Sequence, residues 1–258
     1  MSYSLTDTHC HITCDDLYNH IDDVLQRANE HHVNRMMIIC TNFNEFDRAK
    51  ELQEKYPGLF CIALGFHPCD LYKFQENDYA RLESLLQHNQ LDALGEIGLD
   101  YHWDDVERDD QKVYFRKQIE MAKKYDVPII IHMREATKDV VDILKEYEPV
   151  NGIIHCYSGS YETAKELIKI GFYISFGGPL TFKNSRGAPE VAEKLPLERL
   201  FVETDSPYLT PHPYRGKQNE PMYVDVTFHK LCEIKKLDEV SVANQLEENF
   251  KTLFHKEK

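Results

Sequence analysis

The sequence lacks the cysteine patterns that are typical of disulfide-bonded proteins and of cysteine-based zinc sites. Its seven cysteines are an odd number, and no CxxC pair occurs among them. The opening stretch MSYSLTDTHC also lacks a basic segment followed by an apolar one, so we expect no secretory signal. These two absences predict reduced thiols in a cytoplasmic protein and disfavour a cysteine-based zinc site.

Positive charge is scarce, and long apolar runs are missing. The chain has 30 Lys and Arg against 44 Asp and Glu, which gives a formal net charge of −14. A protein that coats nucleic acid needs clustered basic residues, so this balance argues against that class. The charge balance does not exclude an enzyme that binds phosphates through metal cations, because a metal ion reverses the local charge. No apolar run approaches the roughly 20 residues of a membrane span, so no membrane partner is expected.

Motifs for several common nucleophiles and cofactors are absent as well. The sequence contains no GxSxG elbow and no GxxxxGK[ST] loop, and no GxGxxG follows the first apolar run. A serine hydrolase, a P-loop enzyme and a dinucleotide-dependent enzyme are therefore disfavoured, and no organic cofactor is expected. A cysteine nucleophile at Cys156, next to His155, is disfavoured because neighbours on a strand face opposite sides. By that alternation Cys156 and Cys10 should both pack toward the helices.

What the sequence does contain is an alternation of apolar and amphipathic segments. Eight β-rich runs recur at a mean spacing of roughly 30 residues, the size of a βα unit. Several are almost wholly apolar, as is typical of strands buried on both faces of a parallel sheet. The runs are 5–11, 35–40, 59–68, 91–101, 128–135, 152–159, 171–178 and 200–209.

Amphipathic helices are predicted between and after these runs. Apolar residues at helical spacing predict helices over 15–32 and 109–126, and two more over 222–236 and 237–254. The pattern predicts an α/β fold, a single TIM-type (β/α)8 barrel, regular or distorted, with residues 1–258 as one domain. An open doubly wound sheet is the alternative.

Side chains that bind metals lie at or near the ends of six of these runs. In a barrel the C-terminal ends of all strands meet at one face, where active sites lie. A lone histidine in a run is usually a hydrogen-bonded core residue, and Asp205 alone could cap the loop before Pro207. A buried, unpaired carboxylate such as Glu96 is costly, however, so it requires a partner. The whole set predicts a shared metal site formed by His9, His11, Glu96, His132, His155 and Asp205.

The donor types narrow the choice of metal. Imidazole with carboxylate suits zinc, manganese, iron or nickel, whereas oxygens alone suit magnesium or calcium. Six ligands, with a carboxylate available to bridge, predict two divalent ions. Two-metal sites generate hydroxide at neutral pH and stabilise both the attacking and the leaving oxygen of a phosphoryl displacement.

Seven motifs resemble, in order and spacing, those of the TatD family of metal-dependent deoxyribonucleases. They are TDTHCH, GFHP, GEIGLDYHW, HMREA, HCYSG, ETDSPYL and RGKQNEP, and the resemblance runs from about residue 5 to 255. It implies an amidohydrolase-like TIM barrel and a cytoplasmic location. It also implies a 3′–5′ exonuclease or a related DNase, which in this family usually depends on magnesium or manganese.

The resemblance assigns each ligand to a metal. Three residues from the two ends of the chain resemble the ligands of a first metal, namely His9, His11 and Asp205. His132 and His155 resemble the ligands of a second metal, and Glu96 resembles the carboxylate that bridges the two. Two departures leave these ligands intact: Cys69 stands where many members have histidine, and Gln218 where many have arginine.

The predicted chemistry is hydrolysis of a DNA phosphodiester by a metal-activated water. Asp205 is the candidate general base, and Glu96 is the other candidate catalytic residue. The cations are two divalent metals, magnesium, manganese or zinc, and the predicted partner is single-stranded DNA or a 3′ end. Candidate substrate contacts are His67, Arg134, Glu203, Arg215 and Lys217.

Each substrate contact has a structural alternative. Arg215 and Lys217 lie in the loop TPHPYRGKQNEP and suit phosphate binding, unless this is only a proline-stiffened surface loop. Arg134 either binds similarly or pairs with a carboxylate. Glu203 either positions a ligand or DNA end or accepts a hydrogen bond behind a ligand. His67 either contacts a phosphate or base or bonds to a neighbouring loop.

Two aromatic residues and two rival functions complete the predictions from sequence. Tyr101 and Trp103 follow the Glu96 run and either stack on a nucleobase or pack a loop. One rival function is an amidohydrolase or phosphotriesterase that acts on a small molecule with the same barrel and ligands. The other is a metal-stabilised scaffold, which an open ligand set disfavours because structural metals are usually enclosed.

Overall fold

Eight parallel strands form one sheet in the order in which they follow along the chain. The structure is a computed structural model that describes residues 3–254, so the predicted domain bounds at 1 and 258 lie outside the described residues. The strands are Leu5–Cys10 (β1), Val33–Cys40 (β2), Phe60–Leu64 (β3), Ala93–Asp100 (β4), Ile129–Arg134 (β5), Gly152–Ile154 (β6), Phe172–Phe176 (β7) and Leu200–Val202 (β8).

The first and last strands close this sheet into a barrel. Cys10 and Ser206 form a parallel bridge, and the hydroxyl of Thr8 donates to the carbonyl oxygen of Val202 at 3.0 Å. A doubly wound sheet would reverse its strand order part-way, and this sheet does not. The predicted TIM-type barrel is therefore confirmed.

Helices alternate with the strands. They are Asp15–Tyr18 (α1), Ile21–Glu30 (α2), Phe43–Lys55 (α3), Glu76–Gln87 (α4), Arg108–Tyr125 (α5), Thr137–Glu146 (α6), Tyr161–Ile170 (α7), Gly187–Lys194 (α8), Val224–Lys235 (α9) and Glu239–Phe254 (α10). The predicted helices over 109–126 and 237–254 match α5 and α10 within two residues. The predicted helix over 15–32 is two helices, and the one over 222–236 begins only after a 3₁₀ turn, Pro221–Tyr223.

Apolar side chains fill two layers, one between strands and helices and one inside the barrel. Cys10 lies in the outer layer, as predicted. The barrel interior is filled by Met37, Ile39, Ala63, Ala93, Ile130, Ile153, Tyr173 and Phe201, together with Phe250 and Leu253 of α10. The side-chain amide of Asn249 donates to the carbonyl oxygens of Leu197 and Leu200 at 2.9 Å each. Helix α10 is thereby held at the start of β8 and closes the N-terminal end of the barrel.

The C-terminal end of the barrel is where the polar cluster lies. Several strands end earlier than their predicted runs, because hydrophobic patterning does not separate a strand from the extended chain that follows it. Strand β6 ends at Ile154 and β8 at Val202, so His155 and Asp205 lie on the loops just beyond them. Within residues 3–254, no helix combines the length and apolarity needed to cross a membrane.

Candidate metal centre

An irregularity in β4 turns Glu96 into the barrel. Leu94 and Ile97 both pack in the outer layer, although residues three apart on a regular strand face opposite sides. The pairing register with β5 shifts between these two positions, and Glu96 lies within the shift, only 4% exposed. Gly98 has a φ of 145°, and a Cβ at that position would overlap the carbonyl oxygen of His132. Glycine therefore lets β4 and β5 approach closely beside the cluster.

One oxygen of Glu96 faces two histidines from the next two strands. Oε1 lies 2.7 Å from Nδ1 of His132, which is in β5. It lies 2.6 Å from Nε2 of His155, the first residue after β6. The two imidazoles are 3.4 Å apart at their nearest nitrogens. These are the two histidines that the family resemblance assigns to the second metal.

The other oxygen of Glu96 faces the histidines of the first strand. Oε2 lies 3.5 Å from Nε2 of His9 and 3.9 Å from Nε2 of His11. Oδ1 of Asp205 lies 3.6 Å and 3.4 Å from the same two nitrogens. The structure thus brings all six predicted ligands together, and the Glu96 carboxylate lies between two groups of them.

The spacing and donor types of this cluster fit divalent cations. Two nitrogens bound at about 2.0–2.1 Å to a tetrahedral zinc lie about 3.3 Å apart, and Nε2 of His9 is 3.3 Å from Nε2 of His11. Burying Glu96 and Asp205 together requires positive charge between them. Imidazole and carboxylate donors suit zinc, manganese and iron. The cluster is therefore a candidate metal centre.

Hydrogen bonds behind the rings orient two of the histidines. Nδ1 of His11 lies 3.2 Å from the carbonyl oxygen of Ile39, so Nδ1 carries the proton and the lone pair on Nε2 faces the cluster. Nε2 of His132 donates to Oδ2 of Asp100 at 2.8 Å, which leaves Nδ1 to face Glu96. The sequence reasoning missed Asp100. The sequence did contain an indication of its role, because Asp100 is a carboxylate within an apolar run, as Glu96 is.

The electrostatics hold the two carboxylates and His9, but not the other three histidines, in metal-binding forms. Burial alone would raise the pKa of Glu96, but the neighbouring imidazoles, above all His155, hold it well below its usual range. Burial also opposes ionisation of Asp205, yet its hydrogen bond with His11 and the charge of His155 lower its pKa. Burial lowers the pKa of His9 and favours its neutral form. Burial opposes protonation of His11, His132 and His155, yet the neighbouring carboxylates raise their pKa. Neutral imidazoles and ionised carboxylates are the forms that bind metals.

Asp7 anchors the loop that carries Asp205. Its Oδ1 accepts the backbone N–H of Thr204 at 2.9 Å and its Oδ2 accepts the Thr204 hydroxyl, across a sequence separation of 197 positions. Asp205 itself has a φ of 57°, a left-handed conformation that aspartate tolerates better than most residues. Its backbone N–H donates to the carbonyl oxygen of His9 at 2.9 Å. The sequence reasoning assigned no role to Asp7, because no local pattern links it to Thr204.

Glu203 is buried against the cluster, and Cys156 beside it is half-buried. Glu203 is 0% exposed, its Oε1 accepts the backbone N–H of Cys156 at 2.6 Å, and the same oxygen lies 3.4 Å from Nδ1 of His155. This burial favours the alternative role of Glu203, an acceptor behind His155, over contact with a DNA end. Burial and the carboxylates of Asp205 and Glu203 raise the pKa of the Cys156 thiol. The expectation that Cys156 packs toward the helices was wrong, because β6 ends before it and strand alternation does not apply.

His67 faces the cluster through one nitrogen and a loop through the other. Nδ1 accepts the backbone N–H of Cys69, two residues further along the same loop, at 3.3 Å, and contact of His67 with a phosphate or base stays a prediction. Nε2 lies 3.9 Å from Oε1 of Glu96, and the ring meets that of His132 edge to face at 4.5 Å. Burial lowers the pKa of His67 to about 4, so the ring is neutral at pH 7.

The predicted basic contacts lie on the rim around the cluster. Arg134 is exposed, with Cζ 5.7 Å from the centroid of the Trp103 ring, and Cζ of Arg215 lies 4.1 Å from that of Phe182. Lys217 is exposed, with Nζ 5.5 Å from the Tyr214 ring. These three basic residues lie at the mouth of the barrel and not among the six predicted ligands.

Tyr101 is a packing residue. Its hydroxyl donates to Asp139 at 2.6 Å, and Arg108 lies over its ring with Cζ 4.6 Å from the centroid. Tyr101 is only partly exposed and its hydroxyl is bonded within the protein, whereas Trp103 is 52% exposed, which leaves Trp103 as the candidate for stacking of the two.

A family model described as TatD related DNase matches residues 6–255. The chain belongs to the TatD family. A relative from Bacillus subtilis (strain 168), named Uncharacterized metal-dependent hydrolase YabD, is 44% identical over 97% of this chain and 98% of the relative. The family and this relative identify the chain as a metal-dependent hydrolase.

Two solved structures are similar over almost the full length. The TatD homologue YjjV from Escherichia coli K12 has a TM-score of 0.92 and 31% identity, with 98% of each chain covered. A TatD family hydrolase from Entamoeba histolytica has a TM-score of 0.86 and 25% identity, with 98% of this chain and 99% of that chain covered. These TatD structures share the barrel that carries the candidate metal centre.

Proposed function

We propose that this TatD family member hydrolyses DNA phosphodiester bonds, as a 3′–5′ exonuclease, with two divalent cations. The observation that carries the proposal is the position of Glu96. Its two oxygens face separate histidine groups, Oε1 toward His132 and His155 and Oε2 toward His9 and His11. This is the arrangement expected of a carboxylate that bridges two metals, and two-metal sites suit in-line displacement at phosphorus.

The first role proposed for the protein is to bind the cations. Magnesium, manganese or zinc, when bound, would supply water activation and charge neutralisation on the phosphate. The ligands proposed for them are His9, His11, Glu96, His132, His155 and Asp205. Glu203 and Asp100 lie behind His155 and His132, and support of this kind usually tunes affinity and activity.

Asp205 is the proposed proton acceptor. It is the ligand on the loop after β8, and its Oδ1 lies within 3.6 Å of both His9 and His11. Its lowered pKa keeps it ionised, so it can orient the attacking water and accept its proton. Glu96 is also an ionised carboxylate, but its position between the two histidine groups suits it better to binding both cations than to accepting a proton.

Basic residues on the rim are proposed to bind the phosphates of the strand. Arg215 stacks on Phe182. Stacking covers one face of the guanidinium, while its N–H donors point outward in the plane of the guanidinium. Those donors can then take a phosphate bidentately. Lys217 follows on the same loop, and Arg134 lies at the end of β5, three strands from β8 around the barrel.

A substrate panel tests this function. Protein loaded with magnesium, manganese or zinc is incubated with 3′- and 5′-labelled single-stranded DNA, RNA, a phosphotriester and a dihydroorotate-like cyclic amide. Stepwise shortening from the 3′ end is expected, and E96Q should abolish it while the surface variant E162Q does not. Turnover of a small molecule without cleavage of any nucleic acid would instead support the amidohydrolase or phosphotriesterase alternative.

A further inference from the structure

Exposed apolar side chains concentrate on the face that carries the metal centre. The described residues include seven large apolar side chains that are exposed. Five of them follow the C-terminal ends of strands, namely Tyr72, Trp103, Tyr208, Leu209 and Tyr214. Four of these five are aromatic. Exposed aromatic surface beside a catalytic cluster indicates a ligand with flat, apolar faces.

Trp103 stands on the His132 side of the cluster and is held there by the site itself. The residue is 52% exposed, and its ring meets that of His102 edge to face at 4.7 Å. The backbone N–H of His102 donates to Oδ1 of Asp100 at 2.9 Å, and Oδ2 of Asp100 accepts from His132. His102 is further fixed by its Nδ1, 2.7 Å from Glu135. The position of the tryptophan is therefore tied to that of a proposed metal ligand.

Tyr208 stands on the opposite side, next to the other histidine group. The residue is 60% exposed, and its ring meets that of His11 edge to face at 6.0 Å. Its backbone N–H donates to the carbonyl oxygen of Asp205 at 2.9 Å, and its own carbonyl oxygen accepts from the buried side chain of Asn219. Trp103 follows β4 and Tyr208 follows β8, so they lie half a barrel apart with Glu96 between them.

We propose that Trp103 and Tyr208 are stacking platforms for the two nucleobases that flank the scissile phosphate. The inference rests on the proposed function, because it requires a nucleic-acid substrate whose phosphate lies at Glu96. Bases within a duplex are already stacked and paired, so only unpaired nucleotides reach two platforms on opposite sides of the centre. The substrate is therefore a single strand or an unpaired end, and its recognition depends on ring faces and not on base identity.

A charged residue indicates on which side of Trp103 the bound DNA strand lies. Arg134 lies over the tryptophan ring and supplies a cation for the phosphate next to the stacked base. The backbone of the DNA strand is therefore expected on the β5 side of Trp103, where Arg134 lies.

Trp103 is the one tryptophan of the chain, so its fluorescence reports on the platform directly. The metal-loaded protein is titrated with a phosphorothioate-linked oligothymidylate that resists hydrolysis, and with an abasic oligomer of the same length and charge. Quenching by the oligothymidylate and not by the abasic oligomer is expected. Equal quenching by both, or by neither, would overturn the proposal.

Affinity measurements on variants test both platforms. Loss of one base–aromatic stack costs about 1–3 kcal/mol, so W103A and Y208A should each raise the Kd of a labelled oligothymidylate about 5- to 150-fold. W103F and Y208F keep a ring and should stay within about threefold of the parent. Y147A, at the end of α6 on the opposite face of the barrel, is the matched control and should leave the Kd unchanged. An unchanged Kd in both alanine variants would refute the platforms.

Failure of the platforms and failure of the nuclease activity give different results. If labelled DNA is shortened while Kd and fluorescence are insensitive to the bases, the platforms are wrong and the nuclease assignment stands. If the bases quench Trp103 but no nucleic acid is cleaved, the platforms stand as a binding site and the nuclease assignment is wrong. A blunt duplex should bind at least about tenfold more weakly than the single strand, and equal binding would contradict recognition of unpaired bases.

Discussion

The hydrogen bond from Nε2 of His132 to Oδ2 of Asp100, at 2.8 Å, decides which nitrogen of the ring faces Glu96. Nδ1 of the same ring then lies 2.7 Å from Oε1 of Glu96. Burial opposes ionisation of Asp100, but the bond from His132 holds its pKa at about 2. Asp100 therefore acts on the metal centre through His132, as a positioning residue.

Removing this acceptor should weaken metal binding on the His132 side. Loss of a hydrogen bond behind a ligating histidine typically lowers metal affinity about 10- to 100-fold, so D100A should show a drop of that size. D100N retains a carbonyl oxygen that can accept from His132 and should recover most of the affinity. Competition with a chelating dye measures both. Equal affinities for D100A and the parent would show that Asp100 does not orient the ring.

Asp205 should matter more for turnover than for folding. D205N keeps the size and hydrogen-bonding shape of the side chain but is a poor proton acceptor, and general-base catalysis typically contributes about 10²–10⁴-fold to the rate. We therefore expect kcat to fall by at least about 100-fold while the melting temperature changes little. Activity within about tenfold of the parent would remove Asp205 from the role of base.

His67 should make the metal-free protein less stable in mild acid. Burial lowers its pKa in the fold to about 4 from an ordinary value of 6.5, so below pH 6.5 the unfolded chain binds a proton that the folded chain resists. The contribution of His67 is therefore fully present above pH 6.5 and is lost as the pH falls toward 4. Between pH 7.5 and 4.5 the parent should lose about 2 kcal/mol more unfolding free energy than H67Q. Urea unfolding of the chelator-treated proteins measures this difference, and parallel losses in the two would contradict it.

Gly98 should be intolerant of a side chain. A Cβ there would overlap the carbonyl oxygen of His132, and the backbone has a φ of 145°, so G98A should cost on the order of 3 kcal/mol or more. G187A is the matched control, because a Cβ at Gly187 would meet no heavy atom within 4 Å and alanine suits a helix. Its unfolding free energy should stay within about 1 kcal/mol of the parent. A stable G98A with normal metal content would show that the close approach of β4 and β5 is not required.

The barrel and its ligands were predictable because their signals repeat along the chain. Eight apolar runs at regular spacing indicate parallel strands, and the convergence of strand ends then places His9, Glu96 and Asp205 together although they are far apart in sequence. The same patterning extended β6 and β8 too far, because it does not separate a strand from the buried chain that follows it.

The features that sequence reasoning missed depend on contacts between distant segments. Asp7 and Thr204 are separated by 197 positions, and neither residue shows a local pattern that reveals their bond. The inward turn of Glu96 depends on a register shift in β4, which periodicity does not encode. The alternation rule misplaced Cys156 because it was applied to a residue beyond the end of its strand.

The central claim is that the Glu96 carboxylate bridges two cations, and manganese loading tests it most directly. Metal analysis of the manganese-loaded protein should give two ions per chain, and its electron paramagnetic resonance spectrum should show the exchange coupling of bridged Mn²⁺. E96Q should lose that coupling. A single ion per chain, or two uncoupled ions in the parent protein, would contradict the account.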